Sequence, residues 1–238
     1  MSTRHEMVDR GQVQTQYRTE EGLTTRSSVW HPTADGREPA AEALAEVVAA
    51  APQRVLEIGC GTGAFAARVA AALPDAGVVA VDQSPRMVEL TASWRLEARV
   101  ADAQDLPFAD GSFDAVAALW MLYHVPDLHR GLAEVRRVLR PGGTFVAVTN
   151  GDEHLADLRR DAGGAPVVTH FSSENGDVAL HAHFDDVRRQ DLVTRAWFAD
   201  RAAALGYLDS TREGVAWSPP VDGWPREYAG HVTVFVAR

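Results

Sequence analysis

The stretch Val55-Leu56-Glu57-Ile58-Gly59-Cys60-Gly61-Thr62-Gly63 joins an apolar segment to three glycines at alternate positions. The apolar part is typical of a short buried strand, and the alanine-rich run Ala64 to Leu73 that follows predicts a helix. Glycines at such a junction let the backbone turn tightly and approach a ligand, and a helix N-terminus favours negative charge. The stretch therefore predicts a strand–loop–helix unit that binds a small molecule.

Apolar and helical segments alternate downstream of this unit. The predicted strands cover residues 54–58, 77–81, 98–100, 113–119 and 144–149. One of the helices between them begins at Ser84 and Pro85, an N-cap residue and a first-turn proline. Short strands that alternate with longer helices predict a mostly parallel α/β sheet with right-handed crossovers.

The alternation is weaker outside this central part of the chain. A helix is expected near Tyr17 to Trp30, and another over Glu42 to Ala51. Beyond Asn150 the expected elements are helices over residues 153–162 and 195–205, a short helix and a strand within 179–192, and a last strand over 231–236. No repeat or linker divides the sequence, which favours one domain.

Acidic residues follow the glycine loop at informative positions. Asp82 ends the second strand, 19 residues after Gly63, where an acid can accept both hydroxyls of a ribose. Asp102 ends the third strand, where an acid can receive an adenine amino group. The pattern Gly59-x-Gly61-x-x-Ala64 also satisfies the dinucleotide fingerprint, but Glu57 stands where that loop normally has an apolar residue. The glycine loop by itself is therefore also compatible with a nicotinamide-dependent oxidoreductase.

The sequence of 238 residues contains 23 arginines and no lysine. It therefore has no lysine for a Schiff base, for a Walker A loop or for the Tyr-x-x-x-Lys pair of short-chain dehydrogenases. The last exclusion removes the commonest short oxidoreductase mechanism. Any acidic group on a ligand must be met by arginine, histidine or backbone N–H groups.

The net charge and the cysteine content exclude further classes of protein and kinds of site. The net charge of −10 argues against a protein that coats nucleic acid or an anionic membrane. The one cysteine, Cys60, cannot form a disulfide framework or a cysteine zinc site, and His170, His181 and His183 lack a carboxylate at metal-binding spacing. We expect a cytoplasmic protein with no metal and no membrane span, because no apolar stretch reaches the roughly 18 residues that a span requires.

The chain resembles the class I S-adenosylmethionine-dependent methyltransferases of the small-molecule type. The matching blocks are Val55–Gly63, Val81-Asp82-Gln83-Ser84, Asp102–Phe108, Phe113-Asp114-Ala115-Val116, His124-Val125-Pro126-Asp127, Leu139-Arg140-Pro141-Gly142-Gly143 and, later, Phe184-Asp185-Asp186-Val187. The resemblance implies a Rossmann-like, doubly wound sheet, mostly parallel with an antiparallel C-terminal strand and with helices on both faces. It also implies one domain over residues 1–238: a lid or arm over 1–50, a cofactor-binding core over 51–150, and substrate-side insertions and final strands over 151–238.

The resemblance assigns the methionine end of S-adenosylmethionine to the glycine loop. Gly59, Gly61 and Gly63 would let it lie against backbone, and Glu57 would orient the loop, partly through its N–H groups. Backbone near Leu119 would receive the amino group of the cofactor.

The adenosine end is assigned to the ends of the next strands. Asp82 would hold the ribose hydroxyls, and Gln83 would flank the adenine. Asp102 would bond the adenine amino group, with the backbone N–H of Ala103 at a ring nitrogen.

Candidate residues for the transfer itself follow the fourth strand and precede the core. His124 is the candidate base, with Tyr17 over the sulfonium; the alternative is that His124 caps the next turn together with Asp127. Arg26 is the candidate partner of the cofactor carboxylate, since arginine suits a bidentate ion pair; the alternative is a solvated Arg26 on a packed helix. Trp120, Met121 and Tyr123 either wall an acceptor pocket or pack in the core.

These assignments imply an enzyme that transfers a methyl group to an N or O atom of a small molecule, in secondary metabolism or cofactor biosynthesis, leaving S-adenosylhomocysteine. We expect a monomer or homodimer that binds neither nucleic acid nor membrane. The alternatives are an oxidoreductase of the NAD type on the same broad fold, a macromolecular methyltransferase and a non-catalytic cofactor-binding protein.

Overall fold

The computed structural model describes residues 29–211 and 215–238. Tyr17 and Arg26 therefore lie outside the described residues, as does most of the helix expected near Tyr17 to Trp30. The strands are β1 (Trp30–His31), β2 (Arg54–Ile58), β3 (Gly77–Asp82), β4 (Glu97–Val100), β5 (Phe113–Leu119), β6 (Leu139–Asn150), β7 (Val187–Phe198) and β8 (Arg226–Ala237). The helices are α1 (Pro39–Ala49), α2 (Ala64–Ala72), α3 (Pro85–Ser93), α4 (Leu128–Val138), α5 (Ala156–Asp161), α6 (Gly176–His181) and α7 (Arg201–Ser210), with a 3₁₀ turn over Leu122–His124.

The strands form one sheet in the order β1-β7-β8-β6-β5-β2-β3-β4. Neighbouring strands among β2 to β6 pair in parallel. The last strand, β8, lies antiparallel between β6 and β7, and β1 pairs antiparallel with the outer edge of β7. The expected fold, a mostly parallel doubly wound sheet with an antiparallel C-terminal strand, is confirmed.

The central strand β5 shows why the sheet is covered on both faces. All seven of its residues are buried, and four of them alternate between two hydrophobic clusters. Val116 and Ala118 pack in the cluster that contains residues of α4, whereas Ala115 and Ala117 pack in the cluster that contains residues of α1 and α2. Because successive side chains of a strand point to opposite faces, an apolar run of this kind requires helices on both sides.

Two predicted elements beyond the core differ in the structure. The helix expected over residues 195–205 is wrong: residues 195–198 belong to β7, and α7 begins at Arg201. The physical reason is a period of two, since Leu192, Thr194, Ala196 and Phe198 are buried while the residues between them are exposed. Asp200 then caps α7 by accepting a hydrogen bond of 2.8 Å from the Ala203 N–H.

Smaller differences concern element ends and turns. The helix expected over residues 153–162 is reduced to α5, and Trp30 lies in β1 rather than in a helix. The turn expected at Pro141–Gly143 lies within β6, where the register against β5 shifts between Phe113 and Ala115. Among the described residues, no helix is long and apolar enough to cross a membrane.

Candidate functional site

A cleft of about 730 Å³ opens at the carboxyl ends of the parallel strands. It is lined by residues that end or directly follow β2, β3, β4, β5 and β6, which is where open α/β sheets bind ligands. The sequence-predicted residues that the structure brings together there are Glu57, Gly59, Gly61, Asp82, Gln83, Asp102, Ala103, Leu119 and His124. Residues separated by up to 67 positions in the chain thus share one cavity wall.

The glycine loop is held by backbone contacts on one side and by a side chain on the other. The N–H groups of Gly59 and Cys60 both donate to the Val81 carbonyl, at 2.8 and 3.1 Å. Gly59 has a φ of +70°, and a Cβ placed there would lie 2.7 Å from the Cβ of Met121. Only glycine fits a left-handed position at such a close approach.

Gly63 has a different place from the other two glycines. It has a φ of +81°, and a Cβ there would lie 2.8 Å from the Cα of Thr91 in α3. Gly63 does not line the cavity but lets α2 pack closely against α3. Gly63 therefore sets the position of the loop, and its predicted contact with the cofactor stays a prediction.

Asp82 is anchored to the backbone around the loop. Its Oδ2 accepts a hydrogen bond of 3.0 Å from the Gly61 N–H, and its Oδ1 accepts one of 2.9 Å from the Ser84 N–H. Burial raises the pKa of this carboxyl, although the backbone hydrogen bonds act in the opposite direction. Each carboxylate oxygen keeps acceptor capacity, so Asp82 can still receive hydroxyl groups from the cleft.

Glu57 is the buried acid behind the loop. It accepts a hydrogen bond from the backbone N–H of Ala66 in α2, while its Oε2 is buried with no hydrogen-bond partner among the described residues. Burial, and then the charge of Asp82, raises the pKa of Glu57 well above its ordinary value. An unpartnered buried oxygen beside the cleft fits a ligand that donates N–H groups, such as an ammonium.

Asp102 is positioned by Gln104, a residue of the matching block to which the sequence analysis assigned no role. The side-chain amide and the backbone N–H of Gln104 donate to Asp102 Oδ1 at 3.1 and 3.0 Å. Gln104 is buried, and its Oε1 accepts a hydrogen bond of 2.9 Å from the Asp127 N–H at the start of α4. Gln104 therefore ties the acid of the third strand to the segment that follows His124.

The residues after β5 form an aromatic wall. Trp120 has a φ of +53°, which is a strained value for a tryptophan, and its indole N–H donates to Asn150 Oδ1 at 3.0 Å. Tyr123 and His124 line the same cavity, with their ring centroids 4.6 Å apart. Asp127 caps α4 by accepting a hydrogen bond of 3.0 Å from the Arg130 N–H.

The far wall consists of residues that sequence reasoning largely missed. Trp30, Asn150, His154, Thr194, Tyr207 and Val232 all line the cavity. They come from β1, β6, the segment before α5, β7, α7 and β8, and only Trp30 belongs to a predicted group. No periodic signal marks them, because their convergence depends on the pairing of β1, β7 and β8.

The chain was also compared with known proteins. Residues 56–147 match the family model described as a methyltransferase domain. This segment is therefore similar to a methyltransferase domain. The family resemblance drawn from the glycine loop and the strand ends is thus confirmed, and the cleft lies at the carboxyl edge of the methyltransferase domain.

The curated relatives that match this segment are methyltransferases with different names. The O-methyltransferase rstn1 of Aspergillus nomiae is 37% identical over 119 residues, which cover 47% of this chain and 49% of that protein. The demethylmenaquinone methyltransferase of Clavibacter sepedonicus is 44% identical over 105 residues, 42% of each chain. The chain thus spans about half the length, or somewhat less, of these relatives.

Solved structures extend the likeness beyond the matched segment. A methyltransferase solved in complex with the Haloferax volcanii Trm112 methyltransferase activator aligns with a TM-score of 0.61 and 21% identity, over 99% of each chain. At this identity the likeness concerns the fold, which includes the antiparallel strands β7 and β8.

Proposed function

We propose that this protein transfers a methyl group from S-adenosylmethionine to an N or O atom of a small molecule. The observation that carries the proposal is the unpartnered Oε2 of Glu57, in a cavity that also holds Asp82 and Asp102 and continues into an aromatic chamber. Three carboxylates at successive strand ends, one of them lacking a donor, suit a ligand that is rich in hydroxyl and N–H groups and carries positive charge.

The residues present fit this cofactor. Asp82 would accept the ribose hydroxyls beside Gln83, and Asp102 the adenine amino group beside the N–H of Ala103. Glu57 and backbone near Leu119 would receive the amino group, and Gly59 and Gly61 would leave room for the methionine chain. When bound, S-adenosylmethionine supplies a methyl group on a sulfonium, which an aligned nucleophile can displace.

A cation is also required for the cofactor carboxylate. Arg26 remains our proposal for this role, within a lid that also carries Tyr17. Among the described residues, Arg68 of α2 lines the cleft, where its Nη1 lies 3.2 Å from Glu38 Oε1. Arg26 and Arg68 are therefore both candidates for the partner of the cofactor carboxylate.

His124 is proposed as the base of the transfer, with Tyr17 over the sulfonium. Its place in the cleft beside Tyr123 supports this role. We further propose a cytoplasmic enzyme of biosynthesis, monomeric or homodimeric, that acts on neither nucleic acid nor membrane. The named relatives support the methyltransferase over the oxidoreductase of the NAD type.

Binding measurements test this proposal directly. Isothermal titration of the full chain should show that S-adenosylhomocysteine binds and NAD⁺ does not. Asp82→Asn should weaken the binding of S-adenosylhomocysteine about tenfold or more, because a charge-assisted hydrogen bond contributes roughly 1.5–3 kcal/mol. Asp75→Asn, the same change at an exposed position, is the control and should bind as the parent chain does.

Turnover completes the test. Release of S-adenosylhomocysteine should be measured with a panel of small hydroxyl and amine acceptors. Binding of NAD⁺ in preference to S-adenosylhomocysteine would contradict the proposal. Binding of S-adenosylhomocysteine without turnover on any acceptor would favour the non-catalytic alternative.

A further inference from the structure

The far wall of the cleft lies outside the segment that matches the family. The matched segment ends at residue 147, whereas His154, Thr194, Tyr207 and Val232 lie beyond it and Trp30 precedes it. A feature of this wall is therefore a property of this chain and not of the shared cofactor site. The most informative polar group on it is the imidazole of His154.

The hydrogen bonds of His154 define its tautomer. Its Nδ1 lies 3.0 Å from the carbonyl oxygen of His231 in β8. A carbonyl can only accept a hydrogen bond, so Nδ1 carries the proton and Nε2 of the neutral ring carries a lone pair. Within residues 29–211 and 215–238, Nε2 has no hydrogen-bond partner.

The backbone and the neighbouring rings fix this imidazole in place. The same His231 carbonyl accepts the Gly151 N–H at 2.9 Å, and the Leu155 N–H donates to the Ala229 carbonyl at 3.0 Å. The segment that holds His154 is thus bonded to β8 on both sides. The Trp30 ring lies against the imidazole, with 4.8 Å between the ring centroids.

Trp30 is itself fixed by the sheet. It pairs with Ala196 of β7, and its ring contacts Gly230, where a Cβ would lie 2.4 Å from the Trp30 Cζ3. The wall is therefore preorganised, because Trp30 and the imidazole cannot turn without disturbing β1 or β8.

The charge of the imidazole follows from its surroundings. Burial, with a smaller contribution from the nearby charge of Arg159, lowers the pKa of His154 to about 4, although the bond to the His231 carbonyl acts in the opposite direction. At neutral pH the ring is an uncharged acceptor. It can bind an O–H or N–H donor, but it has neither charge nor proton for a carboxylate or phosphate at Nε2.

We propose that Nε2 of His154 accepts a hydrogen bond from a hydroxyl or N–H group of the methyl acceptor, and that this acceptor is an uncharged, largely apolar molecule. The proposal rests on the proposed function, since it concerns the acceptor end of the same cleft. The rings of Trp30, Trp120 and Tyr207 provide the apolar surface, and His154 provides the point that orients the donor.

Three matched probes test the proposal: 2-naphthol, its methyl ether 2-methoxynaphthalene, and 2-naphthoate. Their affinities are measured from tryptophan fluorescence, with and without S-adenosylhomocysteine. The parent chain should bind 2-naphthol roughly five- to tenfold more tightly than the methyl ether, the ratio expected for one hydrogen bond to an acceptor in the cleft. It should bind 2-naphthoate least.

Two variants separate ligand binding from structure. His154→Asn places an amide near the Nδ1 position, so it can still donate to the His231 carbonyl, but it has no atom at the position of Nε2. This variant should lose the preference for 2-naphthol while its affinity for S-adenosylhomocysteine and its unfolding midpoint stay close to those of the parent. His181→Asn, the same change on exposed α6, should keep the preference.

The outcomes distinguish this proposal from the proposed function. A preference for 2-naphthol that survives in His154→Asn, or equal or tighter binding of 2-naphthoate, overturns the role of His154. Failure of the parent chain to bind any of the probes overturns the proposed acceptor class. Failure of the parent chain to bind S-adenosylhomocysteine contradicts the proposed cofactor. The ratio of probe affinities measured without S-adenosylhomocysteine still tests the role of His154.

Nitrogen NMR of labelled histidine provides a check without a probe: a protonated Nε2 in His154 at neutral pH would also overturn the proposal.

Discussion

The two halves of the cleft are built from different chemistry. The cofactor half, at the ends of β2 to β5, consists of carboxylates and backbone N–H groups. The acceptor half contains the rings of Trp30, His154 and Tyr207, together with Asn150, Thr194 of β7 and Val232 of β8, and the His154 ring is uncharged at neutral pH. Under the proposed function, the first half would bind a fixed, polar cofactor, and the second would bind the methyl acceptor.

The two halves of the cleft also differ in their position within the sheet. The cofactor half lies at the ends of β2, β3 and β5, which are largely buried, and of the edge strand β4, so a change at the first three disturbs the core. The acceptor half is attached to the edge of the sheet through the antiparallel pairs of β1, β7 and β8. We therefore expect substitutions in the first half to affect both stability and cofactor binding, and substitutions in the second to leave cofactor binding intact.

The largest effect is expected for Gly59→Ala. The new methyl group would lie 2.7 Å from Met121 at a φ of +70°, so strain and collision add, and the free energy of unfolding should fall by about 3 kcal/mol. The affinity for S-adenosylhomocysteine should fall at least about tenfold, because the loop must move. Urea unfolding and isothermal titration measure the two effects.

Gly36→Ala is the matched control for this change. Gly36 has a φ of +83° but no atom within 4 Å of the added Cβ, so only the conformational strain of roughly 1–2 kcal/mol remains. Equal stability losses at the two glycines would show that the contact with Met121 does not restrict the loop.

A smaller, pH-dependent effect is expected for Glu57→Gln. The pKa of Glu57 is raised above its ordinary value of 4.5, so the folded protein binds this proton more tightly than the unfolded chain does. Its contribution to stability is thus present near pH 4.5 and is lost as pH rises through the raised pKa. Relative to the parent, the variant should therefore gain stability as the pH rises from 5 to 8.

The same variant should bind S-adenosylhomocysteine less tightly, because the amide replaces one of the two carboxyl oxygens of Glu57 by an NH₂ group, which cannot accept a hydrogen bond from the ligand. Urea unfolding at several pH values and titration at neutral pH measure both properties. Glu89→Gln, at a side chain that is 70% exposed, is the control and should change neither. A parallel pH dependence of stability in the Glu57→Gln variant and the parent would contradict the assigned pKa shift.

The smallest effect on the cofactor is expected for Asn150→Ala, in the acceptor half. The Trp120 indole N–H loses its acceptor at 3.0 Å, which should cost about 1–2 kcal/mol of stability. The affinity for S-adenosylhomocysteine should change by less than about twofold, since one neutral contact outside the cofactor half is lost. A larger loss of affinity would show that the two halves of the cleft are coupled.

Sequence reasoning predicted the cofactor half well for a physical reason. Strand, glycine loop and acid follow one another within short stretches, so local patterns place Glu57, Asp82 and Asp102 at strand ends before any tertiary contact is known. Parallel strands then bring these ends to one edge. The central strand β5 is predicted with the bounds that the structure shows, because all of its residues except Asp114 are apolar, as is typical of a fully buried strand.

The acceptor half could not be predicted in the same way. His154 gains its tautomer from a carbonyl 77 residues away, and Trp30 gains its position from pairing with β7. The residues around 195 are compatible with a helix by composition. The alternation of buried and exposed side chains along this strand becomes evident only when β7 is paired with β8 in the sheet. Long-range pairing, which no local pattern encodes, decides this part of the site.

The His231 carbonyl accepts hydrogen bonds from both Gly151 and His154, so the position of the His154 ring depends on the register of β8. β8 is paired along both of its edges, so a slip by one residue would turn the side chains of Val232 and Val234 to the opposite face and move the oxygen that holds His154. β8 is also the last of the strands along the chain, so during synthesis the cofactor half is complete well before the acceptor half. A newly made chain would therefore contain the residues proposed for the cofactor at the strand ends before it contained Thr194, Tyr207 and Val232 of the acceptor wall.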